Sequence, residues 1–222
     1  MTIQNLISTA VKDGWAWTDD WSRASAAAIE NSIRLANGRI AAGRNGRSIE
    51  LLTPTEPAKA HLNSMSAVYG QGAQPFHTDG AHLETPPDVL IFRAAAASDV
   101  PTLLWNPRRS DDPDLDHGLF TVRDGGRHLF LATARSWSAS SGTWHHRFDP
   151  VCMSPSDARA TRAAAALTDP PESEVIRFEW AAAGRVLAIN NRSFLHARAD
   201  ATSHPGRLLE RIALRLCPAE MS

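Results

Sequence analysis

The pattern of hydrophobic and polar positions divides this chain into a short helical beginning and a longer strand-rich part. Near the start, apolar residues recur at the spacing of one helix face, at Leu6, Ile7, Ala10 and Val11. A second helical stretch runs from Ala26 to Ala36 and is followed by Gly38, a residue type that commonly ends helices. These patterns predict that residues 1–45 form a helical part that packs on the rest of the chain.

After about residue 48 the pattern changes to short apolar runs separated by turn residues. The predicted strands are Ile49–Leu52, Val89–Phe92, Thr102–Trp105, Leu119–Val122, Leu129–Ala132, Val175–Trp180, Val186–Ile189 and Leu208–Leu216. Glycine and proline mark the turns between them, as at Pro86-Pro87, Gly125-Gly126 and Pro205-Gly206. Many short strands with regular turns are typical of a sandwich or barrel, and a jelly roll is one such fold.

One further helix is predicted between the strands, from Pro155 to Leu167, with Ser154 as its N-cap. The run Asp169-Pro170-Pro171 would end it. The predicted fold class is therefore α+β, mainly β: a jelly-roll core with N-terminal helices and one inserted helix. At 222 residues the chain is long enough for a full-sized core, and we expect one domain over residues 1–222.

Composition and charge narrow the classes of partner. The chain carries 23 Lys and Arg against 24 Asp and Glu, so we expect no nucleic-acid or membrane-surface partner, which would favour a basic excess. The two cysteines, Cys152 and Cys217, are too few for a disulfide scaffold and suit a reducing cytoplasm. The sequence has neither the pattern of a signal peptide nor an apolar run of the ~18 residues that a membrane span needs.

The candidate chemistry lies in Phe76-His77-Thr78-Asp79 and in a distant histidine, His196. In an extended segment, residues i and i+2 point to the same side, so His77 and Asp79 can both reach one ion. Two imidazoles and one carboxylate form the facial triad of non-haem Fe(II) oxygenases. His-x-Asp also recurs by chance, and His145 and His146 compete with His196 for the third position. His196 is favoured because it follows an apolar strand and has arginines downstream.

Four stretches together resemble the taurine dioxygenase-like branch of the clavaminate-synthase-like oxygenases, which depend on Fe(II) and 2-oxoglutarate. They are Phe76–Asp79, Glu84–Pro87, Thr102–Trp105, and Asn190–His196 with its continuation through Arg207–Arg211. The resemblance spans about residues 66 to 216 in the family's order. It implies a double-stranded β-helix, also called a jelly roll or cupin-like fold. It also implies that His77, Asp79 and His196 bind Fe(II), with O2 as the oxidant.

The same resemblance implies a cosubstrate site. In the family, a threonine on a strand after the His-x-Asp loop and an arginine eleven residues past the distal histidine hold the far carboxylate of 2-oxoglutarate. Thr102 and Arg207 match these positions, and a guanidinium with a hydroxyl can bind both carboxylate oxygens. Arg211 lies four residues on, and elsewhere in the superfamily the cosubstrate arginine has a similar longer spacing. Arg207 is ranked first and Arg211 second; a surface ion pair with Glu210 is the alternative for either.

The expected function is that of a dioxygenase that hydroxylates a small polar or anionic organic substrate, while 2-oxoglutarate is decarboxylated to succinate and CO2. Candidate residues of the substrate pocket are Tyr69, Gln71, His82 and Arg147. Desaturation and cyclisation are alternative outcomes of the same oxidation. Two other functions stay open, a metal-dependent jelly-roll enzyme that does not use 2-oxoglutarate and a metal-dead small-molecule-binding jelly roll. Because relatives often pair, a homodimer is one expected arrangement.

The chain also departs from the family at informative positions. Relatives often carry an Asp-Asn pair before the distal histidine segment, whereas this chain has Asn190-Asn191. The carboxylate position holds Asp79 rather than Gly or Ala, so we do not expect halogenation, which needs that position vacant for chloride. No full taurine pocket is recognisable, and taurine is not carried over as the substrate.

Overall fold

A computed structural model describes residues 1–21, 23–35, 38–43, 46–107, 112–124, 127–139 and 141–216. Ala36, the Gly125-Gly126 turn and Cys217 lie outside these ranges. The helices in chain order are α1 (Ile3–Asp13), α2 (Ala26–Leu35), α3 (Met65–Tyr69), α4 (Asp114–His117) and α5 (Ala158–Thr168). Two single turns of 3-10 helix, Pro57–Lys59 and Glu172–Glu174, accompany them.

Strands make up the body of the molecule. In chain order they are β1 (Trp15–Thr18), β2 (Arg39–Ala41), β3 (Glu50–Leu52), β4 (Gln74–His77), β5 (Val89–Ala94), β6 (Ser98–Trp105), β7 (Phe120–Asp124), β8 (Arg127–Ala132), β9 (Arg135–Ser138), β10 (Thr143–His146), β11 (Met153–Pro155), β12 (Ile176–Trp180), β13 (Val186–Asn190), β14 (Leu195–Arg198) and β15 (Leu209–Arg215). The fold is α+β and mainly β, as the sequence predicts.

Two sheets form the jelly roll. One has the strand order β1-β13-β5-β15-β2, with β3 also paired to β15, and the other has the order β12-β6-β14-β4. Their inner faces share one apolar core, to which β5 contributes Leu90 and Phe92 and β12 contributes Phe178 and Trp180. Neighbours in each sheet are antiparallel, and β14 lies between β6 and β4. This arrangement places the metal-site candidates on the inner face.

Alternation along the strands builds two further cores outside the sandwich. On β5, Val89 and Ile91 point away from Leu90 and Phe92 and pack against α1 and α2. On the other side, Trp105 of β6 joins a core that contains Phe120 of β7 and residues of α5. Strands buried on both faces read as continuous apolar runs, which is why the sequence reveals them.

Residues 1–45 contribute strands as well as the two predicted helices. β1 pairs with β13 and β2 pairs with β15, so this segment extends the first sheet at both of its ends. Its tryptophans break the helical spacing and favour strand geometry in β1. Within the described ranges, no helix has the length and apolar character needed to cross a membrane.

The predicted start of the inserted helix, Pro155, is wrong, because a short strand precedes the helix. Residues Met153–Pro155 form β11, which pairs with β7, and α5 begins only at Ala158. Its N-cap is Asp157 rather than Ser154, because the Asp157 carboxylate accepts hydrogen bonds from the backbone N–H of Ala160 at 2.7 Å and of Leu119 at 3.1 Å. A carboxylate at this position satisfies N–H groups that the helix itself cannot bond.

The cap gives a stability prediction. Asp157→Ala removes the acceptor for two backbone N–H groups, and we expect it to lower the melting temperature by about 2 to 4 °C. Ser154→Ala is the control, because Ser154 lies on β11 and should shift the melting temperature by less than about 1 °C. Thermal unfolding followed by circular dichroism measures both. Equal shifts for the two variants would contradict the assigned cap.

Candidate metal centre

His77 and His196 are brought together by strand pairing. β4 and β14 run antiparallel, and His196 lies directly opposite His77 in the register. The two imidazole ring centroids are 4.3 Å apart. Asp79 lies two residues after the end of β4, and its Oδ1 atom lies 3.4 Å from His77 Nε2 and 3.7 Å from His196 Nε2. The structure therefore gathers all three residues of the expected triad.

Alternation explains why His77 and Asp79 share a side. Phe76 packs into the outer core, where its ring meets Trp105 edge-on at 5.9 Å. Thr78 is fully buried and forms two hydrogen bonds with Phe148, one from its N–H to the Phe148 carbonyl and one from the Phe148 N–H to its hydroxyl. Because Phe76 and Thr78 are anchored outside the sandwich, His77 and Asp79 face its interior.

The protonation tendencies of Asp79 and His196 suit a bound cation, whereas that of His77 opposes one. Burial opposes ionisation of Asp79, but the guanidinium of Arg211 and the two histidines outweigh it and hold the pKa of Asp79 well below its usual value. Burial and the neighbouring His77 lower the pKa of His196 to about 3, so its imidazole is neutral at pH 7. Burial also opposes protonation of His77, but Asp79 raises the pKa of His77 overall. Because its pKa is raised, His77 holds a second ring proton more tightly than a free histidine does. A metal that binds His77 would have to displace that proton.

The donor set fits a divalent metal of the Fe(II) type. The His77 Nδ1 atom lies 3.0 Å from the Pro75 carbonyl, a contact that places the ring proton on Nδ1 and leaves the Nε2 lone pair toward Asp79. The candidate ligand atoms lie within 4.8 Å of one another. Neighbouring ligands about 2.1 Å from one ion are about 3 Å apart, so only a small contraction is needed. Among the described residues, no other group of three such side chains meets this spacing.

Thr102 and Arg207 form a second charged part of the same site. The Arg207 guanidinium donates to the Thr102 hydroxyl at 2.8 Å and to the Val100 carbonyl at 3.1 Å. The Trp180 indole N–H also donates to Thr102, at 3.1 Å. Burial, followed by the charge of Arg198, lowers the pKa of Arg207 to about 10, which leaves it cationic at pH 7. A fixed guanidinium and hydroxyl of this kind can bind a carboxylate.

Arg211 has a different environment from Arg207. It lies on β15, where one guanidinium nitrogen donates to Asp79 Oδ2 and the other to Glu50. Glu50 is its cross-strand partner on β3. Burial opposes the charge of Arg211, but these two carboxylates raise its pKa overall. The alternative of a surface pair with Glu210 is not found for Arg211, because Glu210 binds Arg93 at 2.7 Å.

A cavity of about 840 Å³ contains both parts of the site. Its lining includes the triad, Thr102, Arg207 and Arg211, together with apolar side chains of the inner core such as Leu90, Phe92 and Leu209. His82 also lines it, as expected for a pocket residue. Tyr69, Gln71 and Arg147 are not among the described residues that line it, although Gln74 of β4 is.

Arg147 does not line the cavity, because its side chain is bound to the backbone of a neighbouring loop. Its guanidinium donates to the carbonyls of Ala81, Leu83 and Glu84 at 2.6 to 2.8 Å. It also lies over the Phe130 ring, 5.1 Å from the centroid. Burial, followed by the charge of Arg192, lowers the pKa of Arg147 to about 10. A guanidinium bound to three carbonyls has little capacity left for a substrate carboxylate, so Arg147 holds the loop after Asp79.

The competing histidines lie elsewhere. His145 and His146 are on β10, and His145 Nε2 lies 3.1 Å from the Ser141 hydroxyl. The other ring nitrogen of His145 lies 3.2 Å from the Arg192 guanidinium. Burial, followed by the charge of Arg192, lowers the pKa of His145 to about 4. Neither residue belongs to the group of candidate metal ligands.

Two residues that bind the candidate ligands or Arg211 were not predicted as site residues from the sequence, namely Glu50 and Asn191. The sequence predicts Glu50 only as part of the strand Ile49–Leu52, because its pairing with Arg211 depends on long-range strand register. Asn191 matches the asparagine of the family's Asp-Asn pair, the departure being Asn190, and the resemblance assigns Asn191 no role. It is fully buried and bonds to both backbone groups of Asp79. The signal available in the sequence was its match to the asparagine of the family's Asp-Asn pair.

In comparisons with known proteins, the chain resembles solved structures in fold but matches no family model or curated sequence. A solved structure of asparagine oxygenase, in complex with Fe(II), 2S,3S-3-hydroxyasparagine and succinate, superposes with a TM-score of 0.73 at 15% identity, covering 97% of this chain and 79% of that one.

Two further solved structures give a similar result. The non-haem iron oxygenase OrfP, in complex with Fe, succinate and (3S)-hydroxy-L-Arg, has a TM-score of 0.64 at 18% identity and covers 96% of this chain and 80% of its own. PvcB, described as an Fe, alpha-ketoglutarate dependent oxygenase from an isonitrile synthetic pathway, has a TM-score of 0.67 at 15% identity, with coverages of 97% and 81%. The chain thus has the jelly-roll fold of these oxygenases, which confirms the fold expected from the sequence resemblance.

The triad geometry predicts one divalent metal site per chain. We expect Co(II), an oxygen-stable probe, to bind with visible d–d absorption, and His77→Ala to weaken binding by more than about 100-fold because it removes a ligand. His145→Ala is the matched control, since it removes a partly buried histidine outside the triad and should leave affinity within about twofold. Anaerobic titration measures both. Loss of binding in His145→Ala with retention in His77→Ala would contradict the assignment.

Proposed function

We propose that this protein is an Fe(II)- and 2-oxoglutarate-dependent dioxygenase that hydroxylates a small polar or anionic organic substrate. In the proposed reaction 2-oxoglutarate is decarboxylated to succinate and CO2. The observation that carries the proposal is the convergence of two histidine nitrogens and one carboxylate oxygen in a cavity that also holds the Arg207–Thr102 pair. The structural likeness to oxygenases whose complexes contain iron and succinate or 2-oxoglutarate supports it.

The proposed ligands of iron are His77, Asp79 and His196. When bound, the metal would supply the redox chemistry that activates O2 for attack on the substrate. Arg207 and Thr102 would bind the carboxylate of 2-oxoglutarate that is remote from the metal. The buried position of both groups strengthens this ion pair, because little water competes for the guanidinium.

Arg211 is given a separate task in this proposal. Because it donates to Asp79 Oδ2, the other carboxylate oxygen, Oδ1, is left toward the two histidines. Arg211 would thereby favour a carboxylate that offers only Oδ1 as a metal ligand. This division of labour supports Arg207 as the arginine for 2-oxoglutarate.

The cavity supports a small substrate with polar groups. Its volume of about 840 Å³ must hold 2-oxoglutarate as well as the substrate. Charged and titratable side chains in its lining include Lys59, His61, His82 and Asp149. The bound products named for the similar structures are hydroxylated asparagine and arginine, so amino acids are the first compounds to screen. We also propose action as a single domain, residues 1–222, in a reducing cytoplasm.

Turnover of 2-oxoglutarate is the direct test. Purified protein with Fe(II), 2-oxoglutarate and an amino-acid panel should consume O2 and form succinate. We expect Arg207→Ala to raise the KM for 2-oxoglutarate by about 30- to 150-fold, the loss expected for a charge-assisted pair of hydrogen bonds of about 2 to 3 kcal/mol. Arg177→Ala is the matched control, because Arg177 is an exposed arginine on β12. Its KM should stay within about twofold.

Anaerobic titration separates the rival functions. Binding of Fe(II) and 2-oxoglutarate together should give a weak visible charge-transfer band that disappears in His77→Ala. Metal binding without that band, together with activity that is insensitive to Arg207→Ala, would indicate a metal-dependent enzyme that does not use 2-oxoglutarate. No metal binding at all would indicate a binding protein and overturn the proposal.

A further inference from the structure

The loop from Asp79 to Asp88 follows the first two candidate ligands and forms part of the cavity wall. Its lining residues include Gly80, His82, Leu83 and Pro87. Gly80 has a φ of +70°, and a Cβ there would lie 2.8 Å from Pro87 Cδ, so the loop turns back sharply on itself. A loop of this length needs partners for its backbone groups, since it has no ladder of its own.

Asn191 supplies partners at both ends of this loop. Its side-chain oxygen accepts from the Asp79 N–H at 3.0 Å, and its side-chain nitrogen donates to the carbonyls of Asp79 at 3.0 Å and Pro87 at 2.8 Å. The Asn191 backbone N–H also donates to the Asp88 carbonyl at 2.9 Å. The side chain is fully buried, so water does not compete for these bonds.

The two bonds to Asp79 have a specific geometric effect. They hold the peptide group before the Asp79 Cα and the peptide group after it. The direction of the Cα–Cβ bond is set by these two peptide groups. The carboxylate reaches from that bond to the point where Oδ1 lies 3.4 Å and 3.7 Å from the two histidine nitrogens. Arg211 then fixes the remaining rotation of the carboxylate through Oδ2.

We propose that Asn191 is a positioning residue for the metal centre, acting through the backbone of Asp79 to set the carboxylate against His77 and His196. This inference rests on the proposed function, because it presumes that the three residues bind metal. Asn191 does not line the cavity, so part of the metal affinity of the site would depend on an amide outside it. Partners that orient ligands commonly contribute about 10- to 100-fold in metal affinity.

Asn190 offers a matched control one residue away. It is also an asparagine with a hydrogen-bonded side chain, which donates to the Val11 carbonyl at 3.1 Å and accepts from the Arg192 N–H at 3.0 Å. These bonds connect β13 to α1 and to the following turn. Loss of the Asn190 side chain therefore removes a comparable amount of structure without removing the bonds to Asp79.

The experiment compares Co(II) affinity with metal-free stability in Asn191→Ala and Asn190→Ala. We expect Asn191→Ala to raise the Kd for Co(II) by about 10- to 100-fold and to alter the d–d spectrum, because the carboxylate loses its fixed position. Asn190→Ala should leave the Kd within about twofold, although both variants lower the melting temperature of the metal-free protein. A spectral change is a readout that a general loss of stability does not produce.

Asn191→Asp covers the case in which the alanine variant does not fold. It keeps the side-chain volume and the acceptor for the Asp79 N–H, but an ionised carboxylate cannot donate to Asp79 or Pro87. Added negative charge alone would favour a cation, so an increased Kd in this variant supports positioning.

Two outcomes overturn the proposal and are distinguishable. If the unaltered protein binds Co(II) and the Asn191 variants bind it equally well with the same spectrum, Asn191 has no positioning role and the proposed function is untouched. If the unaltered protein binds no Co(II) or Fe(II), the proposed function fails and this inference fails with it.

Discussion

The antiparallel pairing of Gln74–His77 with Leu195–Arg198 is the constraint on which the whole site depends. It sets His77 opposite His196 although these residues are far apart in sequence. On the side of β14 away from β4, β6 pairs with β14 and brings Thr102 opposite Arg198. Because side chains alternate along strands, one register fixes which of them enter the cavity. The two candidate histidine ligands and Thr102 are thus aligned by two neighbouring ladders of hydrogen bonds, β4–β14 and β14–β6, whereas Arg207 reaches Thr102 from the segment before β15.

The two arginines of the candidate site have different kinds of partner. Asp79 and Glu50 share the guanidinium of Arg211, whereas Arg207 binds only neutral oxygens of Thr102 and Val100. A buried cation with neutral partners retains more attraction for an incoming anion than one already paired with carboxylates. The difference between the two arginines is therefore electrostatic, since both lie within four positions on the same strand and its approach.

Local signals in the sequence predicted eight strands and the three candidate metal ligands. They did not predict strands such as β1, β2 and β10, or the side chains that support the candidate site. Apolar runs predicted β5, β6, β13 and β15, because strands buried on both faces need continuous apolar residues. The His-x-Asp spacing predicted that His77 and Asp79 share a side, since this depends only on strand alternation, whereas His196 was favoured because it follows an apolar strand and has arginines downstream. The partners of Arg211 and Arg147 were not predictable in this way. Each joins segments that only the tertiary fold brings together, and a single sequence carries no record of such contacts.

The alternation of anchors along residues 76–79 limits how this segment can change in evolution. Phe76 and Thr78 are held by Trp105 and Phe148 outside the sandwich, and His77 and Asp79 face inward. Substitution at any one of these positions alters one surface only. Insertion or deletion of a single residue here would instead exchange the two surfaces, placing an imidazole among aromatic rings and a phenyl group in the polar cavity. A change in the length of this segment therefore disrupts both surfaces, whereas a substitution within it disrupts only one.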